Sequence, residues 1–186
     1  YKILEANVPF AKSIIWDINR TYYQEAGLSA WSEGTVPHNM TSNAYVGKTY
    51  AGLILGFLKD IAQKSLSKLE KIYIIELGSG HGRLAYHILS QLDYLLSLEP
   101  EALPPYCYIL TDIVESNLTF FEQHHQFQKY LENGQLDVAF FDGTASNELI
   151  LKKRNITISH QSLQHPMIAI ANYFFSPCLF EATEPL

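Results

Sequence analysis

The stretch that most constrains this chain is Glu76-Leu-Gly78-Ser79-Gly80-His81-Gly82. It follows a short apolar, β-branched run from Ile72 to Leu77. It precedes a helical pattern in which Leu84, Ala85, Ile88, Leu89, Leu92, Leu95 and Leu96 recur at three- and four-residue spacing. A strand buried on both faces that turns through glycine into an amphipathic helix opens a βαβ unit. Backbone amides and a helix N-terminus then face outward from one edge of a sheet, where a ligand can be met. Three glycines supply positive φ and let the backbone pass close beneath that ligand. The spacing is E-x-G-x-G-x-G, not the G-x-G-x-x-G of dinucleotide binders, so a carboxylate stands at the strand end.

The rest of the chain continues the alternation. Tyr106 to Asp112 reads as a second strand, Leu136 to Asp142 as a third and Met167 to Asn172 as a fourth. Helices are predicted from Glu115 to Leu131 and, more weakly, from Ala145 to Lys153. Strands alternating with helices predict an α/β fold whose sheet is mostly parallel and covered on both faces. The four strands end on Glu76, Asp112, Asp142 and Asn172. Open α/β sheets bind ligands outside these carboxyl ends, so the four residues read as one constellation.

Two amphipathic helices are predicted ahead of the sheet, Pro9 to Gln24 and Ala44 to Leu66, the second capped by Ser42 or Asn43. Residues 1–68 therefore read as an N-terminal helical extension and 69–186 as the sheet domain. The loop from Trp31 to Asn43 either caps the second helix or forms a lid, with Trp31 or Tyr45 packing over the site. His81 is either a solvent-facing position or a general base.

Composition narrows the function. Thirteen Lys and Arg against nineteen Asp and Glu give a net charge of -6, which argues against a nucleic-acid footprint. No apolar run reaches the ~18 to 20 residues of a membrane span. Cys107 and Cys178 form no disulfide framework. His124-His125 has no third ligand at suitable spacing, so no metal is expected. Nothing at the start reads as a secretory signal, which predicts a cytoplasmic or organelle-matrix protein. The start at Tyr1 predicts a fragment of a longer chain.

Ile72 to Ala85, IYIIELGSGHGRLA, resembles motif I of the class I S-adenosylmethionine-dependent methyltransferases. Asp112 and Asp142 match that family's acidic positions after strands two and three, and the resemblance runs from Lys71 to Phe175. It implies a Rossmann-like sheet of seven strands, incomplete here with four identifiable. It implies S-adenosylmethionine as cofactor, held by Glu76, Gly78, Ser79, Gly80, Gly82, Asp112 and Asp142. In that reading Glu76 faces the ammonium and sulfonium, Asp112 accepts from the ribose hydroxyls, and Asp142 accepts from the adenine amino group. Ile170-Ala-Asn172-Tyr-Phe-Phe175 is similar to the ANEFFD segment of MidA-like methyltransferases. Tyr173 stands where that family has Glu and Ser176 where it has Asp. Asn172 alone carries over, as the catalytic candidate that orients a nucleophilic amine. Phe175 to Pro177 reads as a join between discontinuous segments.

The implied function is methyl transfer to an unidentified acceptor, a protein side chain or a small molecule. Two alternatives stand beside it. A non-catalytic cofactor-binding or assembly protein is favoured by the departures after Asn172. An NAD-dependent oxidoreductase is disfavoured by the glycine spacing.

Overall fold

Short apolar runs isolated by turns become strands, and the computed structural model places the first three close to their expected bounds. It describes residues 4–64, 71–159, 161–163 and 166–174. β1 spans Ile72–Glu76, β2 Tyr106–Asp112 and β3 Leu136–Phe140. The fourth run shortens to Ile168–Ile170, which is β6 in chain order. β4 (Leu149–Leu151) and β5 (Ile156–Ile158) intervene and pair antiparallel with each other. The main sheet has the order β3-β2-β1-β6, and every pairing in it is parallel. This is a mixed α/β arrangement compatible with a Rossmann-like fold. β1 has β2 and β3 on one side and β6 on the other, so the strand order reverses there. That switch point places the glycine loop at the middle of the carboxyl edge.

The helices are α1 (Ile15–Ala26), α2 (Ser29–Ser32), α3 (Ala44–Gln63), α4 (Arg83–Ser97), α5 (Glu115–Gln123) and α6 (His125–Glu132). Alternating side chains give the sheet two different coats. Ile72, Ile74, Tyr106, Tyr108, Leu110, Leu136, Val138 and Ile170 pack with buried residues of α3, α4, α5 and α6. Ile75, Cys107, Ile109 and Ala139 pack instead under Leu149, Leu151 and Ile158 of the β4–β5 hairpin. Among the described residues, helices thus coat one face and a hairpin the other, where helices on both faces would be usual for a parallel sheet.

Several expectations change. The helix predicted from Ala145 to Lys153 is this hairpin. Ile156-Thr-Ile158 has strand alternation, and Asn155 takes the positive φ (53°) that its turn requires. The single helix expected from Glu115 to Leu131 breaks at His124, which is extended (φ -70°, ψ 123°). The break brings Phe121 and Phe127 into edge-to-face contact, centroids 6.2 Å apart. The first helix starts late: residues Phe10–Lys12 form a 3₁₀ turn, and Ser13 is extended. Its apolar face does not join the core; Phe10, Ile14, Ile15 and Ile18 are exposed and α1 has no fully buried residue.

α3 behaves as predicted at its start, where Asn43, not Ser42, accepts the Val46 amide. Ala51, Ile54, Leu58 and Ile61 then fill the core while Leu53 stays exposed. Gly47 lets α3 approach α4 closely: a Cβ there would lie 2.4 Å from His87 Cβ. The expected end of this helix at Leu66, the boundary at 68/69, the join at Phe175–Pro177 and Cys178 lie outside the described residues. No helix among the described residues is long and apolar enough to cross a membrane.

Candidate functional site

The β1–α4 loop is stitched to the end of β2. The Ser79 amide donates to the Thr111 carbonyl (2.8 Å), and the Thr111 amide donates back to Ser79 Oγ (3.1 Å). Ser79 Oγ and Thr111 Oγ1 both donate to the Glu76 carbonyl. Ser79, expected to bind cofactor, thus spends its hydroxyl on holding the loop. The glycines have internal reasons as well. Gly78, Gly80 and Gly82 have φ of 65°, 60° and 71°, a region costly for other residues. A Cβ would meet Phe174 at Gly78, Trp31 at Gly80 and Phe121 at Gly82. Fold and packing therefore call for glycine at all three positions, apart from any ligand.

The carboxylates are more informative. Glu76 is the last residue of β1 and is buried. Its Oε2 accepts from Tyr108 Oη at 2.8 Å. Register explains the contact, because Tyr108 sits opposite Ile74 and points to the same face as Glu76. Burial pushes the Glu76 carboxyl up to about 7; the Tyr108 hydrogen bond opposes this, and the nearby Asp112 adds to it.

Asp112 ends β2 and is also buried. Its two oxygens accept from the Gly80 amide (3.0 Å) and the Val114 amide (2.9 Å). Burial still outweighs these bonds and raises its carboxyl to about 6. Asn117, fully buried in the first turn of α5, also favours the Asp112 carboxylate. Neither polar atom of its amide finds a partner of good hydrogen-bond geometry. The contact is therefore a weak electrostatic one. Two buried carboxylates and an under-satisfied amide thus converge beside the glycine loop, the pattern of a site kept for a ligand rather than for stability.

Asp142 and Asn172 lie two residues beyond their strands rather than at the strand ends. Asp142 is engaged elsewhere. Arg20 of α1 holds it in an ion pair at 2.6 Å, and the Thr144 amide and hydroxyl also donate to it. The guanidinium keeps its carboxyl well below the usual range. Asn172 Oδ1 accepts from Tyr50 Oη at 2.9 Å, which ties α3 to the end of β6. An amide oxygen can accept a second hydrogen bond, and among the described residues Tyr50 Oη is the donor to this one.

His81 is not a solvent-facing position. It is half-buried, stacks on Trp31 and meets His38 edge-on at 4.5 Å. Burial, with His38 and Arg83 nearby, pushes its pKa down to about 4, so it is neutral near pH 7. Glu76, Ser79, Gly80 and Asp112 are brought together, Asn172 stands beside them through Tyr50, and Asp142 is drawn towards α1. Sequence reading missed Tyr50, Tyr108, Thr111 and Arg20. None of the four carried a signal in the linear sequence, because each meets its partner across 32 residues or more. Comparison with known proteins adds no relative: no protein-family model and no curated protein matches this chain.

Proposed function

We propose that this chain binds S-adenosylmethionine at the carboxyl edge of the sheet and transfers its methyl group to an amine or thiol acceptor. The observation that carries the reading is the pair of buried carboxylates, Glu76 and Asp112, against a positive-φ glycine loop at the switch point. A ligand with cationic groups and a ribose fits those residues. It would neutralise a carboxylate whose charge is unsupported, and it would offer hydroxyls to Asp112. A dinucleotide would set its pyrophosphate, which lies at the glycine loop, against the Glu76 carboxylate at the end of β1, which disfavours the oxidoreductase alternative; Asp112 accepts from a ribose in either reading.

The cofactor supplies a methyl group already activated on a sulfonium, so no strong base is needed. The chain's contribution is alignment and exclusion of water. Asn172 Oδ1, fixed by Tyr50 Oη, accepts one N–H of an acceptor amine and aims its lone pair. The acceptor–carbon bond forms as the carbon–sulfur bond breaks, its electrons go to sulfur, and the acceptor's surplus proton leaves to solvent. Glu76 takes no part in that proton transfer; its role is to face the cofactor's positive charge.

The test is calorimetry with S-adenosylhomocysteine and NAD on the folded chain. The first should bind and the second should not. Because Glu76 titrates at about 7, binding a cationic ammonium at pH 6 should release a proton, read as a heat that varies with buffer ionisation enthalpy. Asp112→Ala should weaken the ligand by ~1.5 to 3 kcal/mol, the scale of hydrogen bonds to a charged group, and Asp112→Asn by less. No heat at millimolar S-adenosylhomocysteine would sink the reading.

A further inference from the structure

Two side chains of the N-terminal helices lie on two of the positions assigned to the ligand. Trp31 of α2 rests on the glycine loop, so close that a Cβ on Gly80 would come within 2.7 Å of its indole. The indole contacts the loop backbone directly, and no layer remains between them for a ligand. It also stacks with Tyr23 (centroids 5.6 Å, 28° between planes) and with His81 (5.8 Å, 16°). Arg20 of α1 holds Asp142 through Nη1 at 2.6 Å and Nη2 at 3.4 Å and reaches Thr144.

We propose that α1 and α2 form an intrasteric clamp, pinned by Trp31 on Gly80 and by Arg20 on Asp142, which the cofactor displaces on entry. The inference rests on the S-adenosylmethionine reading and deepens it: the same site is closed by its own chain until the ligand arrives. In this proposal the region opens for the cofactor, where the lid alternative for Trp31 to Asn43 would have it close.

The clamp is built to move. Within residues 15–32 only Gly27 and Ala30 are buried, so few core contacts resist its release. Gly27 (φ +51°) and Gly34 (φ +78°) bracket the Trp31 segment, and nothing lies within 4 Å of a Cβ built at Gly34. Neutral His81 makes the Trp31 stack an apolar ring contact, while the Arg20 pin is ionic. The two pins therefore respond to different perturbations.

The experiment titrates the full chain with S-adenosylhomocysteine by calorimetry. It compares wild type, Trp31→Ala, Arg20→Ala and the double variant. A closed clamp lowers apparent affinity by the fraction of molecules that are open, so each single variant should tighten binding ~5- to 10-fold and the double variant further. Trp31→Phe, which keeps a ring in the stack, should give a smaller gain and guards against an unfolded alanine variant. The chain has two tryptophans, Trp16 and Trp31. In a Trp16→Phe background, acrylamide quenching should therefore rise as ligand binds and Trp31 leaves the loop. If Trp31→Ala binds no more tightly, or Trp31 stays shielded in the complex, the clamp is overturned while the cofactor reading stands. If neither wild type nor the folded double variant binds, both fall together.

Discussion

Replacing Glu76 by glutamine should make this protein more stable above neutral pH, against the usual cost of altering a buried polar residue. The carboxyl releases its proton near 4.5 in an unfolded chain and at about 7 in the fold, because burial opposes its charge. Between those values the native state holds a proton that the unfolded state has lost. Stability is therefore fully present below pH 4.5 and declines as pH rises through 7. At ~1.4 kcal/mol per pH unit, that gap amounts to about 3 kcal/mol. Glutamine keeps the shape and the acceptor for Tyr108 Oη but does not titrate. Urea unfolding at pH 5 should show wild type and variant within ~1 kcal/mol, the scale of one neutral hydrogen bond. At pH 8 the variant should be ahead by ~2 to 3 kcal/mol. Equal pH slopes for the two proteins, or a variant weaker at pH 8, would refute the claim that Glu76 stores unfavourable burial. The same energy is what a cationic ligand would recover on binding, as expected where function and stability compete.

Other perturbations test the scaffold beneath the site. Arg154→Ala should cost ~3 to 5 kcal/mol by chemical denaturation, because it strands the fully buried Asp137, whose Oδ2 accepts from Arg154 Nε at 3.0 Å. Adding Asp137→Asn to that variant should recover part of the loss, and no recovery would rule out uncompensated charge as the cause. Gly47→Ala should lower stability by ~1 to 3 kcal/mol despite alanine's helix preference. The obstruction is His87 Cβ with its own backbone (2.4 and 3.1 Å), so α3 must move from α4 as a body. A thermal midpoint that is unchanged or raised would show that the helices repack freely.

Burial, not its Arg154 neighbour, sets the state of the Cys107 thiol. Two Arg154 nitrogens meet the Gly134 carbonyl and the Cys107 Sγ. Burial nevertheless pushes that thiol up to about 11. A cation beside a cysteine does not make it reactive when desolvation is the larger effect.

The amino-acid sequence by itself determined the parallel sheet and the glycine loop at its carboxyl edge. Periodicity places β1, the glycine loop and α4 because a two-face-buried strand and an amphipathic helix leave different local patterns, and glycine marks the turn between them. β2 is bounded correctly by its apolar run and terminal aspartate. From Ala145 to Lys153 the local pattern is too weak to separate helix from strand, and a hairpin forms whose Leu149, Leu151 and Ile158 cover the sheet's second face. Tertiary structure alone decided how the site residues are used. Asp112 bonds Gly80 across 32 residues, Tyr50 reaches Asn172 across 122, and Arg20 takes Asp142 across the same distance. No spacing rule links such residues. Their meeting, and the raised pKa of a carboxyl at the end of β1, follow from which helices the closed core brings to one edge and from the water it removes there.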